Sequence, residues 1–459
     1  MKYFLTIINM NLIKTTGLFT FLFVFQNVIL AQKPANDVTT PLHLLQPEYP
    51  TPYGAKSIEE VTAVLDRVYK YLDAETPYSL IDTESKKEIT SPKKLNENTI
   101  FSPGTFRLTS YEWGVTYAGM LQTTEATGDK KYADYTNKRF EVFASIAPYY
   151  FKKMENDKNF PSPIKQTIQP HALDDAGAVC AAMIKAKILG LEADLKPLID
   201  NSMNYISNKQ FRFDDGTLAR NRPQPNTLWL DDLFMSVPAL AQMGKFTGDV
   251  TYYDDAVKQV QQFSERMFNI EKGLYMHGWV KAMEEHPQYH WARANGWAVM
   301  TLVELLEVLP KDHHGYTFVL SQLQAHIKGL VPYQDGTGFW HQLIDKNDTY
   351  LETSATAIYT YAIARAINRG YIDKMAYAPV ALLAWNAIAT MVNEKGQVEG
   401  TCVGTGMGFD PAFYYYRPIN VFAAHGYGPV MLAGSEVIQL LKNNEFEIND
   451  SSLQLKRTK

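Results

Sequence analysis

Four short stretches of the 459-residue chain gather carboxylates, imidazoles, a guanidinium and indoles beside apolar helical patterns. The first, His171-Ala-Leu-Asp174-Asp175-Ala-Gly177, leads into Val179, Met183 and Ile184. Two adjacent acids at a helix start either cap its free N–H groups, where the dipole favours negative charge, or stand ready for chemistry. The second, Asn226-Thr-Leu-Trp229-Leu-Asp231-Asp232-Leu-Phe-Met235, sets another acid pair inside an apolar run. Desolvation penalises an ionised carboxylate and raises its pKa, which suits a general acid working near neutrality. Chemistry is expected of one acid in that pair, and contact with solvent or a neighbouring backbone of the other.

The third stretch, Leu274-Tyr-Met-His277-Gly278-Trp279, puts an imidazole in a glycine-flanked aromatic loop, where it either reacts or is simply hydrogen-bonded in place. In the fourth, His290-Trp291-Ala-Arg293-Ala-Asn295-Gly296-Trp297, a guanidinium stands between two indoles. That arrangement fits a planar carboxylate on a ring that also needs stacking, or a cation–π brace inside the core. No glycine-rich phosphate loop, nucleophile elbow or metal-ligand cluster accompanies them, so neither cofactor nor metal is expected. The inventory suits acid–base chemistry on an anionic sugar.

These groups need a scaffold, and the chain reads as repeated helical hairpins. Hydrophobic residues make up 46%, charged residues 20%, and the formal net charge is −5, which excludes a disordered chain and a nucleic-acid binder. Ser57 and Glu60 form a capping box ahead of Ile58, Val61, Leu65, Val68 and Leu72 at helical spacing. Similar stripes run through Leu230, Leu233, Phe234, Val237 and Leu240, through Val299, Leu302, Val303 and Leu306 before Pro310, and through Ala355, Ile358, Ala362 and Ala366. Thr127-Gly128-Asp129-x-x-Tyr132-x-Asp134 returns 120 residues later as Thr247-Gly248-Asp249-x-x-Tyr252-x-Asp254. Turn-like glycines at 216, 273, 336 and 396 stand 57, 63 and 60 residues apart. A unit of about sixty residues holds two helices with their loops. The expectation is all-α: one closed (α/α)6 barrel of helical hairpins over residues 55–445, followed by a polar tail, 446–459. An open solenoid is the alternative. Cys180 and Cys402 lie among small or apolar neighbours and are expected as buried free thiols.

Residues 1–31 read as a cleavable signal peptide. Lys2 and Lys14 precede an apolar run from Gly17 to Leu30, and Ala31 offers a small residue for cleavage. The segment is too short and too interrupted to span a membrane comfortably, so a periplasmic or secreted protein without membrane insertion is expected. Residues 32–54 carry Pro34, Pro41, Pro47, Pro50 and Pro52, the composition of an extended strap or linker.

Taken in order, Trp229-Leu-Asp231-Asp-Leu-Phe-Met235, His277-Gly-Trp279 and Trp291-Ala-Arg293-Ala-Asn295-Gly-Trp297 resemble the unsaturated uronyl hydrolases of glycoside hydrolase family 105, relatives of family 88. Glu112-Trp113-Gly114-Val115, Asn420 and His425-Gly426-Tyr-Gly428 are similar to that family too, and the resemblance spans roughly residues 55–440. It implies an (α/α)6 barrel that removes the Δ4,5-unsaturated uronic acid left by a polysaccharide lyase, by protonating C4 and adding water at C5. Carried over position by position, Asp231 is the proton donor that also activates water and Asp175 the supporting acid. His277 touches the reacting ring, Arg293 its carboxylate, Trp291 and Trp297 the sugar faces, and Trp113 joins the substrate-binding set. The doubled acids leave Asp174 and Asp232 as alternatives shifted by one residue.

The partners so implied are unsaturated oligosaccharides made by a lyase, of Δ-uronyl-rhamnose type from ulvan or rhamnogalacturonan. A sulfate on the neighbouring sugar calls for an extra cation, for which Arg417, Arg220 and Arg222 are candidates, with a surface or structural role as the alternative. Three rivals stand beside this reading, one of them a sugar epimerase or isomerase on a similar ring. An inverting glycosidase on a saturated uronic-acid-containing glycan also uses two carboxyl groups. A non-catalytic glycan-binding protein needs none.

Overall fold

The computed structural model describes residues 38–40, 54–448 and 453–456. The chain divides into two units, 1–46 and 47–459. Of the first, the described residues Val38–Thr40 form a turn. The expected signal segment and most of the proline-rich stretch lie outside the described residues.

The second unit is built from twelve helices of nine residues or more among the described residues: α1 (Ile58–Glu75), α2 (Tyr111–Thr127), α3 (Lys130–Asn156), α4 (Leu173–Ile188), α5 (Lys196–Asn204), α6 (Val237–Thr247), α7 (Val250–Met267), α8 (Ala292–Val308), α9 (Tyr316–Leu330), α10 (Thr353–Asn368), α11 (Lys374–Thr390) and α12 (Tyr427–Asn443). The even-numbered helices pack side by side in a closed inner ring, α2 to α4, α6, α8, α10, α12 and back to α2. Each inner helix pairs with an outer one, and α12 pairs with α1, so the sixth hairpin joins the two ends of the barrel. This is the (α/α)6 ring that the hairpin spacing predicts.

Local chemistry explains the repeat. In both Thr-Gly-Asp units the glycine takes a left-handed conformation, φ 80° at Gly128 and 78° at Gly248, and ends the inner helix. The following aspartate accepts a backbone N–H two residues on and starts the outer helix. α1 opens with the expected capping box, Ser57 N–H donating to Glu60 Oε2 at 2.8 Å and Glu60 N–H to Ser57 Oγ at 3.2 Å. The ring closes where α2 meets α12: a Cβ at Gly428 would lie 2.7 Å from the Thr116 backbone nitrogen, so only hydrogen fits there.

Three expectations are corrected. The stripe from Leu230 to Leu240 is not one helix. Thr227–Trp229 is a strand, Leu230–Leu233 a 3-10 turn, and α6 begins only at Val237. Pro238 lacks the N–H that a continuous helix would direct at the Phe234 carbonyl, and its ring would crowd that group. Second, the left-handed glycine of the third repeat turn is Gly338, not Gly336. Third, the polar tail is partly ordered. Phe446–Ile448 pairs antiparallel with Leu453–Leu455, and Leu453 and Leu455 are buried against α11.

At the C-terminal ends of the inner helices lies a buried ion network. Glu304 of α8 receives Lys185 of α4 and the Tyr361 hydroxyl of α10. Arg365 of α10 stands 3.7 Å from Glu304, 3.5 Å from Glu436 of α12 and 3.3 Å from Glu307, and donates to Gln122 of α2 at 2.8 Å. Burial opposes the charge on Glu304, yet Lys185 and Arg365 outweigh it and hold the carboxyl down at about 2. Its contribution to stability is therefore full above its ordinary pKa and is lost as pH falls toward 2. Glu304→Gln, which leaves the buried Arg365 and the half-buried Lys185 short of charge, is expected to destabilise the fold by roughly 3–5 kcal/mol at neutral pH. In chemical unfolding the gap to wild type should narrow as pH drops below about 4.5.

Candidate active site

The acid pair Asp231-Asp232 sits on the 3-10 turn between strand and α6. Thr227–Trp229 pairs antiparallel with Gly278–Val280, Trp229 opposite Gly278, and Leu230 N–H donates to the His277 carbonyl at 3.0 Å. That ladder brings together two motifs 46 residues apart, with Asp231 Oδ2 3.1 Å from His277 Nε2. On the far side of the ring, His277 Nδ1 lies 2.7 Å from the Tyr414 hydroxyl, which accepts from Gly408 N–H at 3.1 Å. Tyr414 has a single proton, and its shorter acceptor contact is His277 Nδ1. Nε2 then carries the ring proton and donates it to Asp231.

Asp231 is 14% exposed, whereas Asp232 points into the protein and is fully buried. The expected division of labour holds in form but not in partner: Asp232 binds a guanidinium rather than solvent or backbone. Arg220 bridges two acids, meeting Asp232 through Nε at 2.7 and 2.9 Å and through Nη2, and Asp174 through Nη1 at 3.1 Å and Nη2 at 2.9 Å. Burial disfavours its charge, but the two carboxylates outweigh that and raise its pKa further. Trp229 lies 4.6 Å from Arg220 and 4.8 Å from Arg222, so its indole is a lid over both cations.

Asp175 is buried in the first turn of α4, where Oδ1 accepts from Gln166 at 3.1 Å and Oδ2 from His171 N–H at 3.1 Å. The two acid turns meet through Gly177. A Cβ there would stand 1.8 Å from the Met235 carbonyl oxygen, so backbone touches backbone. Asp174, Asp175, Tyr111, His171, Gln166 and Arg222 line a cavity of about 550 Å³. The N-terminal ends of the inner helices converge at this end of the barrel, and their partial positive charge favours an anionic ligand.

The fourth motif is scaffold more than binding surface. Trp291 and Trp297 are fully buried and offer no face to a sugar: Trp291 backs His277 at 4.6 Å, and Trp297 stacks on Phe234 at 5.0 Å. Trp113 is likewise buried, stacked on Phe106 with its N–H on the Tyr135 hydroxyl at 3.1 Å. All three correct the expectation that they bind substrate; the spacing of indoles does not reveal which side of the wall they occupy. Arg293 is buried as well, donating to the carbonyls of Cys402 at 2.7 Å and Val403 at 2.6 Å. It pins that loop and acts on the site as a nearby positive charge instead of the expected two-pronged clamp. Asn295 grips Tyr275 by both its N–H (2.8 Å) and its carbonyl (2.9 Å), fixing the segment that carries His277. Of the sulfate candidates, Arg417 holds Thr405 and Gly404, Arg220 is the buried bridge, and Arg222, 56% exposed, reaches the cavity.

Sequence reasoning missed Tyr414, Tyr111 and the pairing role of Arg220. Burial, with Glu112 and Asp174 adding to it, pushes Tyr111 well up, and its hydroxyl lies 2.6 Å from His425 Nε2. Both cysteines are buried and free, as expected. Asp254, His313 and His314 form the one metal-type cluster among the described residues. His313 Nδ1 accepts from Gly315 N–H at 3.1 Å, so Nε2 carries the proton toward Asp254 and has no lone pair to offer a metal.

A ring of hairpins whose inner-helix starts gather carboxyl groups and an acid-paired imidazole is the construction of a barrel glycosidase. The sequence profile of Glycosyl Hydrolase Family 88 matches residues 80–441, and the chain belongs to that family. The unsaturated rhamnogalacturonyl hydrolase YesR of Bacillus subtilis is 23% identical over 341 residues, covering 72% of this chain and 91% of that protein. An unsaturated 3S-rhamnoglycuronyl hydrolase of Formosa agariphila is 30% identical over 223 residues, 46% of this chain and 58% of that protein. A possible family 105 member from Salmonella enterica has the same fold, with a TM-score of 0.65 at 24% identity over 88% of this chain and 98% of that one.

The Gly177 contact yields a direct test. Gly177→Ala forces the two acid turns apart and is expected to lower stability by about 1–3 kcal/mol, read by thermal unfolding, and to lower turnover beyond what the stability change explains.

Proposed function

We propose that this glycosidase removes the terminal Δ4,5-unsaturated uronic acid from lyase-generated oligosaccharides of Δ-uronyl-rhamnose type. The observation that carries the reading is Asp231, the partly open carboxyl of the doubled acid, held by His277 at the cavity end of the barrel. The names of the similar hydrolases and the anion-favouring helix starts support it. Asp231 gives its proton to C4 of the enol ether, and the positive charge left at C5 is shared with the ring oxygen. Water adds at C5 and returns a proton to Asp231. The resulting hemiketal opens by breaking the bond between C5 and the ring oxygen. C1 is then a hemiacetal that expels the aglycone as an alcohol and becomes an aldehyde. Asp175, tied to Gln166 and His171, is the supporting acid, while Arg222 at the rim and the buried charge of Arg293 favour the uronate.

The apolar run after Lys14 supports an exported enzyme, testable by N-terminal sequencing of protein recovered from the periplasm or medium.

Ultraviolet absorbance of unsaturated disaccharides follows the reaction, because the conjugated enol-ether acid absorbs and the ring-opened product does not. Wild type should bleach the signal, and Asp231→Asn should be slower by about 10²–10⁴-fold while still binding. Unchanged absorbance with every unsaturated fragment, alongside cleavage of saturated uronides, would sink the hydration reading and leave an inverting glycosidase.

A further inference from the structure

Beside the acid cavity lies a second one of about 310 Å³, sharing with it the wall formed by Arg107 and Ser110. Its lining includes Glu112, His425, Gly404 and Phe422. Two buried polar atoms there have no hydrogen-bond partner: Glu112 Oε2 and His425 Nδ1. An unmet buried acceptor or donor costs on the order of 1–3 kcal/mol, so a pair on one wall points to a ligand that satisfies both.

Their chemistry is complementary. Burial and the charge of Arg293 push His425 well below its ordinary pKa, so its ring is neutral. The Tyr111 hydroxyl, itself kept protonated by burial, donates to His425 Nε2 at 2.6 Å, which leaves the ring proton on Nδ1. The wall therefore holds one acceptor, Glu112 Oε2, and one donor, His425 Nδ1–H, on two side chains that approach each other at 3.6 Å through Glu112 Oε1 and His425 Nε2. A hydroxyl both donates and accepts, so one sugar hydroxyl, in the place a water would take, answers both. Gly404 lies across from the His425 ring, where a Cβ would stand 3.9 Å from Cε1 in ordinary contact. At the rim Phe422 is 57% exposed, an apolar ring on a backbone whose Phe422 N–H donates to Asn420 Oδ1 at 2.8 Å. A ring face above a hydroxyl-reading wall is the composition of a sugar subsite.

We propose that this cavity is the subsite for the sugar beyond the cleaved bond, read through one hydroxyl that donates to Glu112 Oε2 and accepts from His425 Nδ1–H while Phe422 covers its apolar face. The inference rests on the uronyl hydrolase reading above. Tyr111 links the two cavities, since its side chain lines the first and its hydroxyl orients His425 in the second.

The test compares Δ-uronyl-rhamnose with the methyl glycoside of the same unsaturated uronate, whose aglycone is too small to enter the second cavity. Phe422→Ala changes an exposed rim residue, and Glu112→Gln keeps the size of a buried one. For each, the ratio of kcat/KM on the disaccharide to that on the methyl glycoside should fall about three- to tenfold, chiefly through KM. An active wild type whose ratio stays fixed in both variants would overturn the subsite alone. A wild type that turns over neither substrate would overturn the hydrolase reading and the subsite with it.

Discussion

Arg365 is the residue on which the barrel turns. It is buried at the C-terminal end of the inner ring among Glu304, Glu307 and Glu436, with Gln122 as a further acceptor. Helices α2, α8, α10 and α12 are thus joined through one guanidinium, and Lys185 draws in α4 through Glu304. Charges buried this far are tolerated only when answered, and here Arg365 and Lys185 face Glu304 and Glu436, while Arg369 at the surface pairs with Glu307. The requirement is geometric. A rotation or slip of any of these five helices leaves a buried charge or amide unanswered, so the network fixes their register. The same register sets where the opposite, N-terminal ends of those helices place Tyr111, Asp175 and Arg293.

That opposite end is organised by a second charge bridge. Arg220 holds Asp174 and Asp232, one from each doubled acid, and so leaves Asp175 and Asp231 as the members free for other work. The doubling that makes each motif ambiguous in sequence is resolved by a third residue distant from both. Gly177 supplies the steric half of the arrangement, because only hydrogen fits against the Met235 carbonyl. His277 reaches Asp231 through a strand ladder instead of a helix, and Asn295 clamps Tyr275, two residues before His277, from behind.

The parts legible in the sequence are those set by local chemistry. A Thr-Gly-Asp turn ends one helix and starts the next wherever it occurs, so the hairpin period and the ring could be read from residues 127–129 and 247–249. The capping box at Ser57 is equally local. What escaped depends on contacts across the fold. Tyr414 meets His277 from 137 residues away, and the partners of Arg220 lie 12 and 46 residues away. Nor does a count of rings tell an inner face from an outer one. Trp113, Trp291 and Trp297 are packed behind the residues that reach the cavity, and the half-exposed ring by the acids is Trp229.

The buried ion network has one more effect, on traffic. It occupies one end of the ring, so the recess at the other end is blind. A glycan cannot thread through such a vessel as it would through a tunnel. The way in is therefore also the way out, a constraint set by Arg365 and its carboxylates at the end farthest from the acid pair.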